Sequence, residues 1–353
     1  MTACLILAAI MLVSEFNKSP FPAIYNMVEA QSLHVPELPR VYLNTAYVPA
    51  TGSTIRVPAG GNLQTALNAA NPGDVIVLDA GATYIAPSDG FVLPYKAGSG
   101  WITIQTSNLA GIPAEGTRVN PSVHSAAMPK ILARDAGPAI VAVTRAGQSA
   151  PHHYRFVGIE IALAPTVTFN HGLVRFGENN DVQNTMAAVP HDLIIDRCYI
   201  HGRADATLAR GVGLNSARSA VIDSYISECH GVGFDTQAIA GWNGPGPFKI
   251  VNNYLEGAGE NVMFGGADPK IPDLVPSDIE FRRNYCYKPL SWKVDEPNYG
   301  GRHWSVKNIF ELKNARRVLV DGNVFENNWV DGQNGTAILF TVRNQEGTAP
   351  WSA

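Results

Sequence analysis

Charge is scarce in this chain of 353 residues: Asp, Glu, Lys and Arg make up 16%, and 30 acidic against 26 basic groups leave a net charge of -4. That balance lacks the basic footprint a phosphate backbone demands, so no nucleic-acid partner is expected. Cysteine is nearly absent. Cys4 stands in the first apolar run, and Cys198, Cys229 and Cys286 are odd in number and match no zinc-ligand spacing. They read as small buried side chains with at most one disulfide among them. Apolar stretches long enough to cross a bilayer are missing, so no membrane span is expected. The run from Ala3 to Val13 is too short for that but suits the apolar region of a secretory leader cleaved near Met27-Val28-Glu29-Ala30, although no Lys or Arg precedes it. A secreted or periplasmic protein is expected, with residues 1–30 as leader and 31–52 as an N-terminal extension. What remains is 46% hydrophobic with 33 Gly and 24 Pro, enough for a core built of short strands and many turns.

From Ser53 the order is strand, helix, strand: Thr54-Ile55-Arg56-Val57, then Asn62 to Ala70 with Leu63, Ala66, Leu67 and Ala70 on one face, then Asp74 to Leu78. Asn71-Pro72-Gly73 stops the helix. A short amphipathic helix here would cover the open end of a stacked β structure, whose first rung otherwise exposes unpaired edge groups. Beyond residue 150 one pattern recurs, an alternating strand closed by a small polar residue and then an aromatic or aliphatic one. With Tyr199, Tyr225, Tyr254, Tyr285 and Val324 as equivalents, the steps are 26, 29, 31 and 39 residues. A period that lengthens by insertion predicts a solenoid with loops on one face.

The residues just before those positions are Cys198, Ser224, Asn253, Asn284 and Asn323. Three asparagines in register predict a side-chain ladder, because stacked amides hydrogen-bond from rung to rung. This punctuation resembles the internal asparagine ladder of the pectin lyase-like superfamily. The resemblance runs from about Ser53 to the C-terminus and implies an all-β fold, a right-handed parallel β-helix (solenoid) with a short N-terminal capping helix. The last recognisable strand is Ala337 to Arg343, with neither a cap nor another full rung after it, so the 53–353 domain is expected to be C-terminally incomplete.

A second set of segments also stacks: Arg175-Phe176-Gly177, Gly213-Leu214-Asn215, Gly233-Phe234-Asp235, Met263-Phe264-Gly265, Glu311-Leu312-Lys313 and Thr341-Val342-Arg343. The middle residue is apolar and points inward, so its neighbours point outward. Lys313 and Arg343 then sit side by side on rungs about 4.8 Å apart, with Glu311 on the same face and floor space at Gly265 and Gly266. Lys313-Asn314, Asn323-Val324-Phe325, Gly335-Thr336, Leu339 and Val342-Arg343-Asn344 resemble the segment of the alginate lyase and chondroitinase B group that carries a catalytic lysine and, one rung later, a catalytic arginine. That resemblance implies Lys313 as the base removing the C5 proton of a uronic acid, Arg343 as acid or charge stabiliser, and Ca2+ neutralising the substrate carboxylate. Cation pairs suit this chemistry because the proton is weakly acidic until its developing charge is stabilised. The group's acidic metal ligands are replaced here by Val306, Lys307 and Asn308, leaving Glu311 and Asp235 as candidate ligands, with Asn215 as a further oxygen donor. Lys307 or Arg316 is an alternative partner for the carboxylate.

Asn215, Lys307, Asn314, Arg316, Asn344, Trp292 and Trp304 are the expected substrate contacts, the two tryptophans from an insertion between Tyr287 and Ser305 that would wall the groove. The expected function is that of a monomeric, carbohydrate-active protein that cleaves an acidic polysaccharide by β-elimination. Two other classes stay open, a non-catalytic carbohydrate-binding or surface β-helix and a glycoside hydrolase of the polygalacturonase type. The second is disfavoured because Asp235 stands alone on the stripe, whereas hydrolysis needs paired carboxylates.

Overall fold

The computed structural model describes residues 35–352, so the leader, Cys4 and the start of the extension lie outside the described residues. Strands of three large sheets pair in parallel, each with the strand one coil later. Sheet A has nine strands, from Thr54–Val57 to Arg316–Asp321, and sheets B and C have eight each, ending at Val324–Glu326 and Ile338–Phe340. The chain visits A, B and C in turn, which is a parallel β-helix.

Alternation along each strand sends one row inward, and the parallel register stacks like on like. In sheet A, Ile104, Phe156, Ile195, Val221, Ile250 and Phe281 form one such column. All six are essentially inaccessible, each worth on the order of 1.5–3 kcal/mol of burial. The helix Leu63–Ala69 lies where its apolar face predicts. Asn62 caps it by accepting from Thr65 N, and Leu63, Ala66, Leu67 and Ala70 join the central core. Cys198, Cys229 and Cys286 are buried free thiols, so no disulfide forms among them. No helix of the described residues is long and apolar enough to cross a membrane.

The corner between sheets A and B is built the same way in coil after coil. Gly158, Arg197, Asp223, Asn252, Arg283 and Gly322 adopt left-handed φ values of 49 to 64°, and the next residue turns inward. There the expected ladder forms. Cys198 N donates to Ser224 Oγ, Ser224 N to Asn253 Oδ1, Asn253 N to Asn284 Oδ1 and Asn284 N to Asn323 Oδ1, at 2.8 to 3.0 Å. The amide groups of Asn253, Asn284 and Asn323 donate in turn to the carbonyls of Val221, Ile250 and Phe281. Tyr199, Tyr225, Tyr254 and Tyr285 follow in register on the outside, with Tyr225 and Tyr254 stacked 4.0 Å apart.

Residues 38–52 run over the outer face of sheet A. Arg155 donates to the carbonyls of Thr45 and Ala46, and Lys249 to Thr45 Oγ1. Under this cover Arg155 and Arg197 share the fully buried Asp196 carboxylate, at 2.6 and 2.8 Å.

Replacing Asn284 by Ala orphans Asn253 N and the Ile250 carbonyl inside the core and is expected to cost on the order of 2–3 kcal/mol. Asn323→Ala, half-exposed on the last rung of the ladder, should cost less. Urea unfolding of both variants checks this, and equal midpoints would contradict the ladder's structural weight.

Candidate functional site

The outer face of sheet C is where the sequence places the chemistry, and its register differs from the expected one at two rungs. Gly213 pairs with Ala240, not Gly233, so Gly233-Phe234-Asp235 is not a rung of this sheet. Leu312 pairs with Phe340, so Lys313 lies level with Thr341 and not with Arg343. Arg343 stays close through its backbone, its N–H donating to the Lys313 carbonyl at 3.0 Å, and its side chain is exposed. The shift has a simple cause. Phe340 and Val342 are both apolar and share a parity, so alternation alone cannot say which one faces the core.

A charged cluster nevertheless assembles here. Arg210, Gln237 and Glu260 occupy one column on successive coils. Gln237 Nε2 donates to Glu260 Oε2 at 2.7 Å, and Lys307 Nζ stands against Asp235 Oδ1 and 3.8 Å from Glu260 Oε1. Glu311 is almost fully buried; its Oε1 accepts from Thr341 Oγ1 at 2.7 Å and lies 3.7 Å from Lys313 Nζ, whose side chain is 12% exposed. Burial, and then the charge of Asp235, holds the Glu260 carboxyl well above the usual carboxylate range, with Gln237 and Lys307 opposing. Burial works against the charge on Lys307, but the Asp235 hydrogen bond and the charges of Glu260, Asp235 and Glu311 outweigh it and raise its pKa.

Around this cluster, Arg210 Nε, Gln237 Oε1, Trp242 Nε1, Glu260 Oε1, Glu311 Oε2 and both polar atoms of Asn308 are buried without a hydrogen-bond partner among the described residues. Such orphans are costly in a purely structural surface, and their concentration makes this face the candidate site. A groove of about 270 Å³ opens beside it, lined by Arg175, Arg210, Gly213, Asn215 and Trp242 among others, with the Arg210 guanidinium 5.0 Å from the Trp242 ring centre. Its floor is Gly213, where an added Cβ would meet only one atom, at 3.7 Å. Gly265 does not provide the floor. A Cβ there would come 2.7 Å from both Lys313 Cβ and Asn314 N, so this glycine permits close approach of the next coil.

Asn215 lines the groove and also ties one turn to the next, its Oδ1 accepting from Trp242 N and Asn243 N. Several other expected contacts serve the fold instead. Trp292 and Trp304 are buried with Ala258 and Val306, and Trp304 stacks on the buried His230 at 3.8 Å, so the insertion packs inward and offers no aromatic wall from these rings. Arg316 opens a strand of sheet A and donates to Ser277 Oγ, away from the groove. Asn314 is buried and donates weakly to the Leu274 carbonyl, at 3.4 Å, and Asn344 Oδ1 accepts from Ala349 N. Sequence reasoning missed Glu260, Gln237, Arg210 and Trp242, because the Gly257 to Asn261 segment reads as a tight turn. It missed Lys288 as well, which is fully buried and donates to the carbonyls of Gly257, Ala258 and Gly259 at 2.5, 2.9 and 3.2 Å.

The expected calcium site is not formed by these residues as placed. No three acidic, His or Cys ligand atoms of Asp235, Glu260 and Glu311 converge within 4.8 Å among the described residues, and the Lys307 ammonium occupies the space between Asp235 and Glu260. A lysine supplies the countercharge where a divalent ion was expected.

No protein-family model matches the chain, and no curated protein matches it. Among solved structures it is similar to the alginate lyase from Paenibacillus sp. str. FPU-7, at 13% identity over 82% of this chain and 99% of that one, with a TM-score of 0.38. A variant of the PL6 family alginate lyase AlyGC matches at 13% identity over 88% of this chain, with a TM-score of 0.35, and the match spans 40% of AlyGC's length. Pectate lyase Pel9A matches at 15% identity over 82% of each chain, with a TM-score of 0.27. These likenesses concern the fold alone, and the fold itself rests on the strand registers above.

Removing the Lys307 charge leaves Asp235 and Glu260 facing one another. A carboxyl whose folded pKa is raised favours its protonated form, so stability falls as pH rises from the ordinary carboxylate range through the raised value. Lys307→Met should therefore lose more thermal stability at about pH 8 than at about pH 5. Melting curves at the two pH values check this, and an equal loss at both would contradict it.

Proposed function

We propose that the chain binds an acidic, uronic-acid-containing polysaccharide across the outer face of sheet C and cleaves it by β-elimination. The observation that carries this reading is the concentration of charged and unpartnered polar groups beside an open groove on that one face. In β-elimination a base takes the proton from the ring carbon next to the sugar carboxylate, the carboxylate carries the developing charge, and a double bond forms to the adjacent ring carbon as its glycosidic oxygen leaves with a proton. In this reading Lys313 acts as the base. Arg343, whose backbone lies beside Lys313 and whose side chain is exposed, meets the departing oxygen or the growing charge. Lys307 and Arg210 supply fixed positive charge next to the groove in place of a metal. Export from the cell, where such polymers are met, belongs to the same proposal.

One observation favours a second reading, binding without turnover. Lys313 is largely buried beside Glu311, and Thr341 rather than Arg343 is its direct neighbour. A base held by a carboxylate must be released when substrate enters.

The test is the ultraviolet absorbance of unsaturated uronate product on a panel of alginate, pectate and glycosaminoglycan polymers, with and without chelator. Product is expected on at least one polymer, undiminished by chelator, with Lys313→Ala reducing the rate by about 100-fold or more and Arg343→Ala reducing it as well. Retardation on a polymer gel without product would favour the binding reading. No product and no retardation on any polymer would sink both.

A further inference from the structure

A second cluster lies at the start of three consecutive strands of sheet A, at the corner that follows sheet C. His152 pairs in register with His191, and His191 with Ala217. The next residue of each coil, His153, Asp192 and Arg218, is left-handed, with φ of 58, 54 and 46°. Asp278 and Arg317 adopt the same conformation in later coils, so this backbone is a property of the coil. What differs here is the chemistry placed on it.

One nitrogen each of His153 and His191 and one oxygen of Asp192 lie within 4.8 Å of one another. His153 Nδ1 is 3.8 Å from Asp192 Oδ2, His191 Nδ1 is 2.6 Å from the same oxygen, and His152 Nδ1 is 2.7 Å from His153 Nδ1. Arg218 holds Asp192 through Nε and Nη2, and its Nη2 also stands 2.6 Å from His191 Nδ1. Those distances cannot all be satisfied by protons. Arg218 only donates and the Asp192 carboxylate only accepts, so His191 Nδ1 conflicts with one of them in either tautomer. Burial, and then the neighbouring imidazoles, hold His152 below its ordinary pKa, and burial does the same for His153.

We propose that His153, His191 and Asp192 form a binding site for a divalent cation of the zinc class. Two imidazoles and one carboxylate match the three-ligand sets such ions take, with the fourth position left open. Ligand atoms about 2.0–2.2 Å from a tetrahedral ion stand roughly 3.4 Å apart, and the observed separations bracket that value. The site is open enough to load, with His153, His191 and Asp192 side chains 20%, 28% and 18% exposed. Loading requires Arg218 to leave His191, and its side chain, 47% exposed, is free to swing outward.

Equilibrium dialysis of the untagged, chelator-stripped chain against zinc chloride tests this. One zinc per chain with micromolar or tighter affinity is expected, together with a higher melting temperature in its presence. His191→Ala and Asp192→Asn should each weaken retention by about tenfold or more, and cobalt should give the intense visible bands of a tetrahedral site, lost in the same variants. Arg218→Ala should bind at least as tightly as the parent chain. Circular dichroism of the metal-free variants confirms that they fold, and His153→Gln gives an independent measure should either of the others fail to. No stoichiometric zinc, retention undiminished in the double variant His191→Ala with Asp192→Asn, or loss of zinc in Arg218→Ala would overturn the site.

Discussion

The inward-facing amide column between sheets A and B is the constraint on which the rest of the structure hangs. A parallel β-helix has no hairpins, so nothing local fixes the register of one coil on the next. Here the register is fixed by Asn253, Asn284 and Asn323, whose side chains each accept from a backbone N–H and donate to a backbone carbonyl of the preceding coil. Hydrophobic columns could slip by two residues and still bury apolar groups, whereas a slipped amide would leave several buried donors and acceptors unpaired. The sheets inherit their alignment from this corner, and through it the outer face of sheet C inherits its arrangement of charges.

That corner was legible in the sequence because its chemistry is restrictive: an amide at a fixed offset before an aromatic residue has few other uses. The capping helix was legible for the same reason, with Asn62 before a run whose apolar positions share one face. Sheet C was less so. Its inward positions accept Val, Ile, Phe, Leu or Ala, and the loop from Gly231 to Asp235 imitates a rung closely enough to displace the real one at Gln237–Gly241. Arg343 was misplaced by two residues because Phe340 and Val342 are interchangeable in an alternation pattern. The buried tryptophans show a further limit. Trp292 and Trp304 carry no mark in sequence that separates a ring meant for a sugar from one that covers His230.

The candidate site differs from expectation in how it balances charge. Asp235 and Glu260 come from successive coils, and Lys307 enters from the coil above and pairs with both. A covalently attached ammonium cannot be washed out or exchanged, and its position is set by the chain. Its charge is smaller and its geometry more permissive than those of an ion with six or more oxygen ligands. The signal was present in sequence, since Val306, Lys307 and Asn308 stand where acidic ligands were expected, but its structural meaning depends on Glu260 and Asp235 arriving from other coils.

From His152 onward, the corner between sheets A and B always has the same two residues between the strand that ends and the strand that begins, one of them left-handed. The other two corners vary freely, from a few residues to more than twenty between Tyr287 and Phe310. The molecule is therefore bound along one edge like a book along its spine. Pages of different width can be inserted without disturbing the binding, and all the variation appears at the opposite margins, which flank sheet C. A lineage of such chains can remodel its groove by lengthening loops while the alignment of every coil is preserved.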